Sequence, residues 1–230
     1  MQRPISLDRR KAFRPPSLAA SGAALVGSEP RGFEVARGTA MIESGAPLSA
    51  AYLVTEGLVA ILARTPGGAR AEAGLVGPGG LVGHQAALGA RTASTDALAL
   101  TATRGLLLDG ASLAALATGS PPLHRDLVDY ALARAAETER LCACAAAHSI
   151  ERRLARWLLS ATALLGERPI EVTHQQLGDI FAVRRASVTT SLHLLEGERA
   201  VRCRRGSVEV RDLARLEAAS CGCHVEPWRP

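Results

Sequence analysis

The chain has 230 residues, 47% apolar and 21% charged, with a formal net charge of +5. That is the composition of a folded protein with room for two ordinary domains, and it excludes disordered and fibrous classes. All but one of the 27 cations are Arg, with Lys11 the exception; this points to coding bias as much as to guanidinium chemistry, so overall charge alone implies no polyanionic partner. Aromatic residues are 3% of the chain, too few for the stacking platforms that hold single strands or RNA.

No run approaches the eighteen or so apolar residues of a membrane span, so no membrane partner is expected. Met1 to Pro16 carries Arg3, Arg9, Arg10, Lys11 and Arg14 without a following apolar core, unlike a secretory leader. The five cysteines (Cys142, Cys144, Cys203, Cys221 and Cys223) are odd in number and absent from the first 141 residues. A disulfide framework is therefore not expected, and a cytoplasmic location is.

Residues 1–30 mix Pro, Ser, Ala and Arg without periodicity and read as a flexible N-terminal arm. Residues 31–120 form the next segment. Within it, from Arg31 to Leu108, short apolar runs alternate with glycine signals: Phe33–Ala36, Ala51–Val54, Leu58–Leu62, Ala73–Val76, Ala97–Leu100 and Leu106–Leu108. The turn signals include Gly45, Glu56-Gly57, Pro66-Gly67-Gly68, Gly77-Pro78-Gly79-Gly80 and Arg104-Gly105. Strands this short and closely spaced predict an antiparallel sandwich or barrel, although Ala and Leu favour helix. Asp109-Gly110-Ala111-Ser112 then caps a short helix through Ala117, stopped by Gly119-Ser120-Pro121-Pro122.

Residues 121–148 form a long helix, free of Gly and Pro from Leu123 to His148. A stripe of Leu127, Tyr130/Ala131, Arg134, Thr138, Leu141 and Ala145 is spaced three and four apart. It is expected either to pack on a twin helix in a two-fold dimer or to pack on its own β domain. In residues 149–230, a second helix follows over Ser149–Leu165. Its apolar face is Ile150, Leu154, Trp157, Leu158, Ala161 and Leu165, with Arg152, Arg153 and Arg156 opposite.

Val172 to Val210 is the most informative stretch. Thr173 and Gln176 have capping-box spacing, opening a helix through Phe181. After Ala182-Val183-Arg184 a second helix runs from Arg185 to about Glu196. Leu177, Ile180, Val183, Val188, Leu192 and Leu195 pack the two helices, and Gly178 lies where they approach most closely; this is a helix-turn-helix pattern. Residues 200–210 read as two short strands around Gly206, a wing. Thr173, His174, Gln175, Arg184, Arg185, Ser187, Thr189, Thr190, His193, Arg204 and Arg205 are the expected contacts to double-stranded DNA. Six Arg against two Glu between Arg184 and Gly206 support phosphate contact. The alternative is that these arginines only solvate an exposed helix.

From Arg31 to Val210 the chain resembles the Crp/Fnr family of bacterial transcription regulators. The matching runs are Ile150 to Leu159, Val172 to Ile180, Val183 to Thr190, Leu194-Leu195-Glu196 and Gly206 to Val210. Weaker matches are Ile42 to Gly45, Tyr52 to Val54, Glu56 to Val59 and Pro78 to Gly83. The resemblance implies an α+β fold: an N-terminal antiparallel β jelly roll of the cyclic-nucleotide-binding type, a long dimerisation helix and a C-terminal winged helix-turn-helix. It further implies a homodimer on an inverted-repeat site. Leu127, Ala131, Thr138, Leu141 and Ala145 are the candidate dimer residues. Expected partners are double-stranded DNA, a second copy of the chain and RNA polymerase.

The chain departs from the family at defined places. Members that bind cyclic AMP have a Gly-Glu pair followed by Arg-Ser or Arg-Thr. Here Gly83 precedes His84, and Arg91-Thr92 supply the phosphate half, so Gly83, His84, Arg91 and Thr92 are the candidate effector residues of a degenerate or differently tuned sensor. No cysteine precedes Cys142 to hold an oxygen-sensing iron–sulfur cluster, and His84 is the β domain's one histidine, poor support for haem. On the recognition helix, Ala186 stands where the family commonly has Glu and Thr190 where it has a second Arg, so a different half-site is expected. Cys221-Gly222-Cys223-His224 has ligand types for zinc or a thiol switch but needs a further ligand, and Cys142 and Cys144 point apart on a helix. Incidental thiols, no metal and no cofactor are the resulting expectation. No catalytic motif stands out, so no enzyme activity is expected. The competing function is a small-molecule sensor whose C-terminal domain mediates mainly protein–protein contacts.

Overall fold

The structure, a computed structural model, describes residues 29–166 and 168–224. Of the expected N-terminal arm, all but Glu29 and Pro30 lies outside the described residues. Apart from Ala69–Ala71, which group with the second, the described chain divides into two compact units, one ending at Thr138 and the other beginning at Glu139.

The first unit contains β1 (Arg31–Val35), β2 (Ala40–Ile42), β3 (Ala50–Glu56), β4 (Val59–Arg64), β5 (Arg70–Val76), β6 (Leu81–Val82), β7 (Asp96–Ala99) and β8 (Thr103–Asp109). Each expected apolar run overlaps one of these strands; β2 and β6 are additional and too short to display an alternation. The strands form two antiparallel sheets, ordered β1-β8-β3-β6 and β2-β7-β4-β5. Alternation along β3 sets the layers. Val54, with Tyr52 beside it, joins Val59, Val76, Val82 and Ala97 between the sheets. Ala51 and Leu53, on the other face, join Leu81, Leu108 and the helices. Gly105, expected at a turn, lies inside β8, where an added Cβ would collide with the Leu53 carbonyl oxygen. Glycine there permits close strand approach instead of ending a strand.

Helix α1 (Gly110–Gly119) is capped by the Asp109 carboxylate, which accepts from the Ser112 N–H at 2.8 Å. Helix α2 (Pro121–Ala147) begins on the two prolines expected to stop the preceding helix. The first helical turn needs no N–H from them, so they start the helix. Leu123, Leu127 and Tyr130 are buried against the sheet. The Tyr130 hydroxyl accepts from the Leu81 N–H at 2.9 Å and donates to the Leu81 carbonyl at 3.1 Å. Thr138 donates to the Ala73 carbonyl at 2.9 Å.

Of the two partners expected for the stripe, the chain's own β domain covers Leu127, Tyr130 and Thr138. Leu127 and Thr138 are engaged by the chain's own sheet, Leu141 is buried, Ala131 is half-buried, and only Ala145 of the five is exposed. The larger side chains make the inward stripe, as burying them removes most apolar area. The outward face carries Leu132, Ala135, Ala136, Glu139, Cys142, Ala143 and Ala146. Leu132, 63% exposed, is the most exposed large hydrophobic side chain among the described residues.

The second unit contains α3 (Ile150–Leu165), α4 (His174–Phe181), α5 (Arg185–Gly197), β9 (Val201–Arg204), β10 (Ser207–Val210) and α6 (Leu213–Ala219). Leu154, Trp157, Leu158 and Ala161 of α3, Leu177 and Ile180 of α4, and Val188, Leu192 and Leu195 of α5 are all buried. Trp157 meets Phe181 edge-on at 6.5 Å between ring centres. Arg156, expected on the solvent face, is only 3% exposed. Helix α6 was outside the expected elements; its signal is Asp212, whose side chain accepts from the Arg215 N–H.

Ala182 closes α4 in the left-handed region, at φ 55° and ψ 41°. A Cβ is disfavoured there, so Ala182→Gly is expected to stabilise this unit by about 1 kcal/mol. The check is the unit's urea midpoint, which should rise; an unchanged or lower midpoint contradicts the assignment of strain to this residue.

Candidate nucleic-acid interface

The turn between α4 and α5 is fixed from both ends. Thr173 accepts from the Gln176 N–H while the Gln176 side chain accepts from the Thr173 N–H, the reciprocal cap anticipated from the spacing. A Cβ added to Gly178 would lie 3.0 Å from the Val183 carbonyl oxygen, while the Val183 N–H donates to the Gly178 carbonyl. Glycine therefore sets the closeness of the helix crossing, as expected. With Val188, Leu192 and Leu195 turned inward, Arg185, Ala186, Thr190 and His193 are exposed on α5, and Arg184 is exposed just before it.

The eleven expected DNA contacts fall into two groups. Gln175, Arg184, Arg185, Thr190, His193, Arg204 and Arg205 are exposed; Thr173, His174, Ser187 and Thr189 are half-buried. Thr189 donates to the Arg185 carbonyl at 3.1 Å, and its oxygen lies 2.8 Å from His174 Nδ1. With its own proton committed, Thr189 receives the proton of His174, so the pair joins α4 to α5. Burial, then the charges of Arg185 and His193, hold the His174 pKa below the usual histidine value, which favours the neutral donor. Thr190 donates to the Ala186 carbonyl at 3.1 Å, leaving its oxygen an acceptor. Gln175 donates to Asp179 at 2.9 Å.

The wing is a hairpin in which Arg204 pairs with Ser207 across Arg205-Gly206, with Gly206 at φ 79°. The Cys203 N–H donates to Glu196 at 3.0 Å, fastening the wing to the end of α5. Arg204 lies 3.7 Å from Glu209, so part of its charge is neutralised locally, whereas Arg205 is exposed at the tip. Arg202 was missed: it is exposed two residues before Arg204, and the strand's period of two places both on one face.

In the first unit the candidate effector residues separate by exposure. Gly83, at φ 75°, precedes a short 3-10 helix, His84–Leu88. His84 is 9% exposed, and its ring meets Tyr130 edge-on at 5.1 Å. His84 is thus packed against α2, while the other polar candidates face outward. Arg91 and Thr92 are exposed. Between β5 and α2, Arg134 donates to the Leu75 carbonyl at 2.7 Å and to Glu137 at 2.6 Å. A Cβ on Gly74 would lie 2.5 Å from Arg134 Nη2, so this inner face is filled by the chain's own charges.

Burial, reinforced by the Arg134 charge, lowers the His84 pKa to about 4 from 6.5. The unfolded chain therefore takes a proton below pH 6.5 that the fold refuses down to about pH 4. Stability falls as pH falls through that window, by up to about 3 kcal/mol from this group. Thermal unfolding of the first unit between about pH 7 and pH 4 should show that slope, and His84→Phe should flatten it; an equally steep slope in the variant contradicts the assignment.

An antiparallel roll together with a winged helix-turn-helix defines the two-domain class of transcription regulators that carry a DNA-binding helix-turn-helix. Residues 33–119 match the cyclic nucleotide-binding domain family and residues 152–219 the Crp-like helix-turn-helix domain. The cyclic AMP receptor protein of Thermus thermophilus is 30% identical over 174 residues, covering 75% of this chain and 80% of that protein. A Crp/Fnr-family transcriptional regulator from Thermus thermophilus is similar in structure, with TM-score 0.66, 26% identity, and 83% and 98% of the two chains covered. FixK2 from Bradyrhizobium japonicum shares the fold, with TM-score 0.72, 17% identity, and 84% and 98% covered. The chain belongs to the Crp/Fnr family of transcription regulators. Among the described residues, no helix is long and apolar enough to cross a membrane.

Proposed function

We propose that the chain acts as a homodimer that binds an inverted repeat in duplex DNA, with one α5 helix in each half-site, and controls transcription through RNA polymerase in the cytoplasm, without catalysis. The observation that carries this reading is the exposed set Arg184, Arg185, Thr190 and His193 on and before α5, beside the exposed Arg202 and Arg205 of the wing. Helix residues in that position reach base edges, while the wing arginines meet phosphates. The half-site differs from that of the cyclic-AMP-binding members, because Ala186 and Thr190 replace a cytosine acceptor and a guanine reader.

The first unit serves as a sensor that does not take cyclic AMP in the family manner. Supporting this, His84 follows Gly83 and is packed on Tyr130, where a carboxylate for the ribose is expected. Genome-wide footprinting in the host tests the reading as a whole. It should return an inverted repeat upstream of genes, and a competition gel shift should rank that repeat above the half-site of the cyclic-AMP-binding members. Failure to shift duplex DNA, with retention of protein partners alone, would support a protein-contact role instead.

A further inference from the structure

Cys144 and Cys221 are 77 residues apart in sequence, yet their sulfurs lie 3.5 Å apart. Cys223 Sγ stands 3.7 Å from Nδ1 of His148. The ligand atoms of Cys144, His148, Cys221 and Cys223 all fall within 4.8 Å of one another. Two come from α2 and the residue that follows it, spaced i and i+4 and so on one face; two come from the segment after α6, on either side of Gly222. The helix thus supplies the ligands that the tail's Cys-Gly-Cys lacked. Cys142, two residues from Cys144, is exposed and outside the set.

We propose that Cys144, His148, Cys221 and Cys223 form a tetrahedral site for one zinc ion that fastens the C-terminal segment to the end of α2. Zinc–sulfur bonds of about 2.3 Å and zinc–nitrogen bonds of about 2.0–2.1 Å place tetrahedral ligand atoms roughly 3.5–3.8 Å apart, matching the Cys144–Cys221 and Cys223–His148 separations. Three thiols and one imidazole are a closed structural set, with no position left for water. An iron–sulfur cluster spreads its thiolates over separate irons and needs a wider ring of sulfurs than this one. Loading breaks three S–H bonds, sends three protons to solvent, and forms three Zn–S bonds and one Zn–N bond, with no change of oxidation state.

The surroundings fit the charge of the loaded site. Zinc with three thiolates carries a net −1 in a half-buried place. Arg156, 3% exposed on α3, lies close enough that its positive charge acts on Cys144, Cys221 and Cys223. A buried cation beside a net anion meets the requirement that desolvated charges be paired. Arg152 donates to the Ser220 carbonyl at 3.3 Å, steering the tail toward the helix. Helices α3 to α6 lie in sequence between the two pairs of ligands, so the ion closes a loop around the winged helix-turn-helix.

The full-length chain, purified without chelators, should carry one zinc per chain by elemental analysis. Exchange with cobalt(II) should give the intense visible bands of tetrahedral cobalt thiolate. Cys221→Ser and His148→Ala should each lower bound zinc about tenfold or more, while Cys142→Ser keeps it. Because Cys144 is 2% exposed and its variants risk misfolding, the half-buried Cys221 carries the test, with circular dichroism confirming the fold. A metal-free wild type that also fails to take up zinc alone overturns the proposal. So does a Cys144–Cys221 disulfide in the metal-free chain, or iron recovered together with inorganic sulfide.

Discussion

Leu132→Glu is expected to convert the proposed homodimer to monomers and to lower affinity for an inverted-repeat site by about 10²- to 10⁴-fold, the advantage that linking two half-site contacts confers. Leu132 is exposed on α2 among Ala135, Ala136, Ala143 and Ala146, on the face opposite Leu127 and Tyr130. Alanines allow two helix backbones to come close, and a leucine among them supplies the apolar area. At a two-fold axis the same patch meets itself, so one substitution places two carboxylates in one desolvated seam. Sedimentation equilibrium should show the loss of dimer, and a gel shift the loss of affinity. Circular dichroism should be unchanged, because Leu132 is outside the chain's own core. A variant that remains dimeric would move the interface to another face.

Which of the two expected partners covers each stripe of that helix was not legible, for a physical reason. Spacing identifies stripes but does not say which partner covers each. Two stripes of α2 are spaced three and four apart; the one with Leu127 and Tyr130 is buried by the β sheet, leaving the alanine-rich one outward. The helix-turn-helix was legible almost residue by residue, because its signals are local: a cap at Thr173, a glycine at the crossing, and apolar residues three and four apart. The β roll was legible in its longer strands, whereas β2 and β6 are held by neighbours distant in sequence. The burial of His84 was not legible, because a position in a motif gives none; the Tyr130 ring that covers it comes from a helix well downstream in the chain. The Cys144, His148, Cys221 and Cys223 cluster was likewise beyond reach, since only the fold brings the tail to the helix.

The second large effect separates two kinds of arginine. Arg185 is exposed in the first turn of α5, the end of a recognition helix that contacts base edges. Arg185→Ala should cost about 1–3 kcal/mol at the preferred site and flatten base choice at one position of each half-site. Arg205, exposed at the wing tip, should instead meet a phosphate, with Arg204 contributing less because Glu209 stands 3.7 Å away. Arg205→Ser should weaken binding equally across sequences and reduce the slope of log affinity against log salt by about 0.9 for each phosphate lost per bound unit. Arg204→Ser should move the slope by a smaller amount. Titrations on the preferred and a scrambled duplex, at several salt concentrations, decide between the roles. If Arg185→Ala lowers both duplexes alike and Arg205→Ser only one, the assignments are reversed and the wing reads bases. If neither variant changes DNA retention, the winged helix-turn-helix uses a different face.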